Sequence, residues 1–352
     1  MSASNVLITG ATGFIGRRLL ERLLDRGGDV HVLARKQSVG KVEALAERLG
    51  AGDRVKPVVG DLGAARLGIK KRWIDEHKGT VDHVFHLAAI YDMAADEEAN
   101  EVANVGGTRN TVAVANALRA GRLHHVSSVA AAGDYVGTFT EDMFDEGQPL
   151  SHPYHRTKFE SERIAREESD IPWRVYRPAI VVGDSRTGAM DKIDGPYYFF
   201  PLLAGAARLP GALRVVAPRI GATNLVPVDF VVAAMDHLAH QPGLDGRAFH
   251  LVNPEPQPTI DVLNVFARIA GAPQLVGVLP RATLEVPLKL GVVRDKLLPE
   301  LGIPAAALDH ASFTCRFDAT ATEEALAGSG IAVPPLEEYA PVLWSYWKEN
   351  LR

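Results

Sequence analysis

The chain has 352 residues, too many for one minimal fold and suited to one large α/β unit or two domains at roughly 150 residues per domain. Its 47% hydrophobic and 23% charged residues give an ordinary globular composition with a sizeable core, which excludes wholesale disorder. Lys and Arg number 38 against 43 Asp and Glu, a net charge of −5 with no basic tail or stripe, so nucleic acid is not an expected partner.

A single cysteine, Cys315, cannot form an internal disulfide, and no Cys/His cluster has zinc-site spacing, so a reducing compartment and no metal are expected. The first apolar run begins at Val6 without a basic region before it and is cut by Gly10 and Gly13, so it reads as neither signal peptide nor membrane span. Later apolar stretches, 197–207 and 225–235, are too short to span or contain Asp229. The expectation is a cytoplasmic protein without a transmembrane segment.

Six strands are predicted, at Asn5–Thr9, Asp29–Leu33, Arg54–Val59, Asp82–Leu87, Leu123–Val126 and Trp173–Val182, the first five each followed by a helix-like stretch. Runs such as VLIT and HVFHL are nearly continuous apolar segments, as strands covered on both faces are, and the alternation argues for a doubly wound parallel Rossmann sheet. Beyond Gly183 the texture changes. Asp184–Thr223 is rich in Gly and Pro, with Tyr197, Tyr198, Phe199 and Phe200 adjacent. A helix near Asp229–His240 leads to a further strand, Ala248–Val252, and the chain ends in an amphipathic stretch, Leu336–Leu351. The expected division is a dinucleotide-binding domain over 1–183, rejoined by about 226–254, and a smaller substrate-binding domain over most of 184–352.

Thr9–Gly16 reads T-G-A-T-G-F-I-G, after a strand and opening a helix over Phe14–Arg26. Gly10 permits the tight turn, Gly13 lets backbone N–H groups approach a pyrophosphate, Gly16 allows close helix packing, and the helix N-terminus supplies a positive dipole end. Thr9, Thr12, Phe14 and Ile15 complete the loop. The second strand ends in Ala34-Arg35-Lys36, with two cations where an NAD enzyme places the carboxylate that reads the ribose 2′-hydroxyl, so the site is predicted to take the 2′-phosphate of NADPH.

Tyr154-His155-Arg156-Thr157-Lys158 opens a helical run to Glu168, and its i,i+4 spacing sets phenol and ammonium on one helix face. There the lysine charge favours ionisation of a phenol that otherwise titrates near about pH 10. Val126-Ser127-Ser128 ends a strand 26 residues before that tyrosine. A serine hydroxyl there and the phenol could together bind a substrate oxygen and stabilise charge as hydride arrives.

These motifs resemble the extended branch of the short-chain dehydrogenase/reductases, whose loop is T-G-x-x-G-x-x-G. Aligning Gly133 with the glycine after that family's catalytic serine selects Ser128 over Ser127, and the resemblance implies a catalytic Ser128, Tyr154 and Lys158, with Lys158 also bonding the nicotinamide ribose. It further implies cofactor contacts from Asp61 and Leu62 after the third strand, Ala88 after the fourth, and Pro178. Asn104–Thr108, Arg177-Pro178 with Gly183, and Val226–Asp229 match other family segments, where a buried structural role is at least as well supported as chemistry.

Within the branch, His86–Asp92, Tyr176–Ser185 and Leu343–Leu351 resemble fatty acyl-CoA reductases and the thioester-reductase domains of carboxylic acid reductases. That likeness implies NADPH-dependent reduction of a long-chain acyl thioester, on coenzyme A or an acyl carrier protein, to an aldehyde or onward to the alcohol. The run Tyr197–Leu203 could line an acyl channel, form a mouth for peripheral membrane contact, or simply pack the smaller domain, and the likeness of Leu343–Leu351 suggests a relation to a longer protein. Three alternatives stay open: a ketone or hydroxysteroid reductase or dehydrogenase, a sugar-nucleotide epimerase or dehydratase, and a non-catalytic NADP-sensing regulator.

Overall fold

A computed structural model describes residues 4–88, 101–191, 193–218, 221–255, 257–279 and 315–352. Seven strands form a parallel sheet in the spatial order Arg247–Leu251, Trp173–Pro178, Arg122–Val126, His83–His86, Val6–Thr9, Val30–Ala34 and Val55–Val59. The first strand lies between the second and the fourth, so chain order reverses there and leaves a crevice at the carboxyl ends of Val6–Thr9 and His83–His86. The doubly wound Rossmann expectation is met, with Arg247–Leu251 as a seventh, edge strand.

Apolar runs make strands here because both faces are covered. Leu7, Val84 and Leu123 from three neighbouring strands share one core with Val112 and Leu118 of the helix Gly107–Leu118 and Ile164 of the helix Pro153–Glu167. The predicted strand Trp173–Val182 is instead two. Trp173–Pro178 belongs to the large sheet, while Ile180–Val182 pairs with Leu225–Pro227. Pro178 has no N–H to carry a ladder onward, and Ile180 N–H donates to Asn224.

The chain divides into two compact units. The first comprises Met1–Ala179, Phe230–Leu251 and Phe317–Ile331. Its last segment is stitched in by Glu141, whose buried carboxylate accepts from the backbone N–H of His250 (2.8 Å) and Thr322 (3.1 Å) and from the Thr322 hydroxyl. The second comprises Ile180–Asp229, Val252–Arg316 and Ala332–Arg352. Its described part packs around an aromatic cluster in which the Phe200 ring lies 4.6 Å from Phe266, 5.0 Å from Trp344 and 4.9 Å from Tyr197. Tyr197, Phe200 and Leu203 are buried in that core, whereas Tyr198 and Phe199 are half-buried and Leu202 is exposed. No helix among the described residues is long and apolar enough to cross a membrane.

Candidate active site

The glycine loop leaves the first strand at the crevice. Gly10 has a φ of +76°, and a Cβ there would stand 2.7 Å from the backbone nitrogen of Ala88, so both handedness and space demand glycine. A Cβ on Gly16 would lie 2.1 Å from the Gly10 carbonyl oxygen. The helix Phe14–Asp25 follows with Gly13 at its N-cap and no side-chain cap, so among the described residues its first-turn N–H groups have no side-chain acceptor. Thr12 and Gly13 are exposed, and Phe14 and Ile15 half-buried. This cradle fits the pyrophosphate of a nicotinamide dinucleotide: its backbone donors are free of side chains and the dipole end is positive.

Thr9 is wholly buried and tied to the neighbouring strand end. Its hydroxyl accepts from Ala88 N–H (3.2 Å) and donates to His86 Nδ1 (2.8 Å); His86 Nε2 faces the Thr108 hydroxyl (3.0 Å), which donates to the Asn104 carbonyl (2.6 Å). That sequence of donors fixes His86 as the Nε2–H tautomer. The same Asn104 carbonyl also accepts from Ser161 (3.0 Å). Of the predicted segment His86–Asp92, residues 89–92 lie outside the described residues. Arg35 and Lys36 are exposed at the end of Val30–Ala34, and among the described residues neither pairs with a carboxylate. Asp61 is exposed and caps Gly63 N–H (2.9 Å), Leu62 is half-buried against Gly107, and Pro178 is buried.

Pro153 at the first position and the His152 ring, which accepts from Tyr154 N–H (3.1 Å), start the helix Pro153–Glu167. Tyr154 is half-buried and Lys158 buried, with Lys158 Nζ 5.9 Å from the centre of the Tyr154 ring. Burial lowers the Lys158 ammonium to about 8, and the Glu162 carboxylate opposes that shift. The two serines have different environments. Ser127 is buried and donates to Glu162 Oε2 at 2.7 Å, whereas Ser128 is half-buried, caps the turn Val129–Ala132 and accepts from Ala130 N–H at 3.2 Å. Ser128 is thus the more accessible of the two serines.

Behind this set lies a cluster that the sequence motifs do not announce. Arg177 Nε reaches both Glu162 oxygens at 3.1 Å, its Nη2 reaches Oε1 at 2.6 Å, and Arg166 adds bonds of 2.9 and 2.7 Å to Oε1. Burial alone would raise Glu162, but Arg177 and Arg166 hold it down to about 2. His125 is buried beside it, and among the described residues neither of its ring nitrogens has a partner; burial and the Lys158 charge lower it to about 3. The signal for Glu162 was present in the spacing, since 154, 158 and 162 advance by four along one helix face. In the second unit, Asp229 accepts from Ser185 N–H (2.9 Å) and hydroxyl (2.6 Å), and Gly183 N–H donates to the Tyr197 hydroxyl (3.1 Å), so these motif residues hold loops together.

A parallel sheet with a switch-point crevice, a side-chain-free phosphate cradle and a Ser, Tyr and Lys at adjoining chain segments defines an NAD(P)-dependent oxidoreductase of the extended short-chain type. The profile of the male sterility protein family, an NAD-binding group, matches residues 8–235, and the chain belongs to that family. It is similar to the terminal R domain of the myxalamid PKS-NRPS biosynthetic pathway, with 27% identity and a TM-score of 0.81 over 99% of this chain and 91% of that one. Among curated proteins it is 30% identical to the non-canonical nonribosomal peptide synthetase FrzA of Cladobotryum sp over 75% of this chain and 27% of that protein. It is 31% identical to a linear gramicidin synthase of Brevibacillus parabrevis over 70% of this chain and 5% of that protein. The chain therefore spans about a quarter or less of the length of these two curated proteins.

Proposed function

We propose that this chain is an NADPH-dependent reductase that converts a long-chain acyl thioester, presented by a carrier protein, to its aldehyde. The observation that carries the reading is the likeness along nearly the whole chain to a terminal R domain of a carrier-based synthetase, combined with an intact Ser128, Tyr154 and Lys158. A dinucleotide held in the glycine-loop cradle would supply hydride for the thioester carbonyl carbon. Ser128 and Tyr154 donate hydrogen bonds to the oxygen that becomes anionic, which is where preorganised donors lower the barrier most. Lys158, buried on the same helix face, holds the ribose and the positive charge beside Tyr154. The tetrahedral hemithioacetal loses its C–S bond, the oxygen returns as carbonyl, and the sulfur leaves as thiol with a solvent proton. Arg35 and Lys36 receive the cofactor's 2′-phosphate, and the likeness to R domains favours a phosphopantetheine carrier over free coenzyme A.

The test is NADPH consumption with aldehyde and free thiol quantified together, over acyl-pantetheine on a carrier protein, acyl-CoA, fatty aldehydes, ketosteroids and sugar nucleotides. One aldehyde and one thiol per NADPH on carrier thioesters is the expected result. Turnover of ketones alone would replace this reading with the ketone-reductase one.

A further inference from the structure

We propose that Glu162 is a positioning residue of the catalytic set: from the helix Pro153–Glu167 its buried carboxylate tethers the Ser127–Ser128 loop and sets a negative charge one helical turn from the Lys158 ammonium. The inference rests on the Ser128, Tyr154 and Lys158 reading above.

Glu162 is fully buried, and each of its oxygens has a separate task. Oε1 takes Arg177 and Arg166, while Oε2 takes Arg177 Nε at 3.1 Å and the Ser127 hydroxyl at 2.7 Å. A carboxylate present only to neutralise Arg177 would have no need of the serine. Because Ser127 precedes Ser128 directly, anchoring its side chain inward sets where Ser128 Oγ emerges from the end of the strand. Arg177 is itself held from behind: Nη2 donates to the Met143 carbonyl (2.8 Å) and Nη1 to His250 Nε2 (3.1 Å), whose Nδ1 donates to the Asp318 carbonyl (2.6 Å). The carboxylate therefore sits on a fixed mount.

Lys158 lies one helical turn before Glu162, and among the described residues nothing hydrogen-bonds its Nζ. The groups acting on it from packed strands are His86 and His125, both held neutral by burial, and Tyr154 lies on its own helix. Glu162 is faced by Arg166 from its own helix, Arg177 and Ser127 from neighbouring segments, and more distantly His125 and His250. The carboxylate that favours the Lys158 ammonium against burial is thus Glu162. A side chain so placed couples the hydroxyl donor to the ammonium, and its two duties are separable. Glu162→Gln removes the charge, Ser127→Ala removes only the loop tether, and Glu162→Asp keeps the charge but draws it back from Ser127.

The experiment measures kcat and KM for NADPH against pH with the full chain and a carrier-bound thioester, for these three variants and Tyr154→Phe in parallel, with folding followed by circular dichroism. Glu162→Gln should move the alkaline limb of kcat toward neutrality, because Lys158 then loses its proton at lower pH. Ser127→Ala should lower kcat about tenfold through a displaced hydroxyl, with the limb and the KM for NADPH unchanged. Glu162→Asp should keep the wild-type limb and share the lowered kcat. A purely structural salt bridge would change stability without moving the limb. Wild-type kcat in Ser127→Ala, or a wild-type limb in folded Glu162→Gln, overturns the proposal; if Glu162→Gln does not fold, Ser127→Ala and Glu162→Asp decide it. Full turnover by Tyr154→Phe would instead overturn the catalytic reading itself.

Discussion

On one face of the sheet Tyr176, His124 and His83 form a neutral chain, with Tyr176 Oη 2.9 Å from His124 Nδ1 and His124 Nε2 2.9 Å from His83 Nδ1. On the other face Ser127, Glu162 and Arg177 form a charged one. A single strand supplies both: Arg174 and Arg177, each fully buried, are an odd number of residues apart and so point to opposite faces. Arg174 keeps its charge near water. It pairs with exposed Asp245 at 2.9 Å and donates to the carbonyls of Leu238 and Gln241 at the end of the helix Val228–His240, where a cation suits the dipole. Arg177 pairs instead with a carboxylate that is itself fully buried. Full desolvation of a charge pair is costly and rarely adds stability. It occurs on the face that carries Tyr154 and Lys158, which points to organisation of the site as its use.

Removing each arginine in turn separates the two faces most strongly. Arg177→Ala leaves buried Glu162 with Arg166 and the Ser127 hydroxyl but without the cation that reaches both its oxygens, and should cost about 3–5 kcal/mol in a denaturant titration. Acid stability should be dominated by buried neutral rings instead. Burial lowers His83, His125 and His250 from 6.5 to about 3 each. The unfolded chain protonates these rings near 6.5 while the folded chain keeps them neutral. Their contribution is therefore intact above that pH and is lost as pH falls from there toward about 3. At about 1.4 kcal/mol per pH unit per ring, these three alone should make urea melts at pH 7.5 and 5.5 differ by about 4 kcal/mol, and His31, His86 and His124, lowered by burial too, add to that difference; identical melts would mean the rings are protonated in the fold. Arg174→Ala, whose partner Asp245 keeps both solvent and Arg122 (3.0 Å), should cost less, about 1–3 kcal/mol, with kcat unchanged in its pH dependence.

The legibility of the molecule divides along similar lines. The glycine loop and the Tyr154/Lys158 pair were readable because their constraints are local: a left-handed turn at Gly10, a helix start at Pro153, a spacing of four. The parallel sheet was readable because strands covered on both faces leave continuous apolar runs. Glu162 was not read, because its partners come from positions 127, 166 and 177, and a helix period marks a buried face without saying that charges will fill it. The attachment of Phe317–Ile331 to the first unit was equally silent, since it depends on one buried acceptor, Glu141, 181 residues from Thr322. The strand break at Pro178 could have been read from the missing N–H, and was hidden by the apolar run continuing through Val182.

A third arginine extends the contrast to the surface. Arg174 and Arg177 are both provided with acceptors, whereas Arg35 stands exposed at the carboxyl end of Val30–Ala34 beside Lys36, and among the described residues no carboxylate meets either. A cation at that strand end has an obvious complement in a 2′-phosphate, to which a guanidinium can donate two parallel bonds. Arg35→Ala should then raise the KM for NADPH at least tenfold, about 1.4 kcal/mol, and leave that for NADH where it was. Lys36→Ala should do less, because an ammonium offers a point charge without the planar fork. The effect on stability should be within about 0.5 kcal/mol, as for a surface substitution. That separates Arg35 from both buried arginines, which are needed by the fold whether or not a ligand is present. Equal wild-type affinity for the two dinucleotides, or equal loss of both in the variant, would show that Arg35 is ordinary surface charge and that the choice of cofactor is made elsewhere.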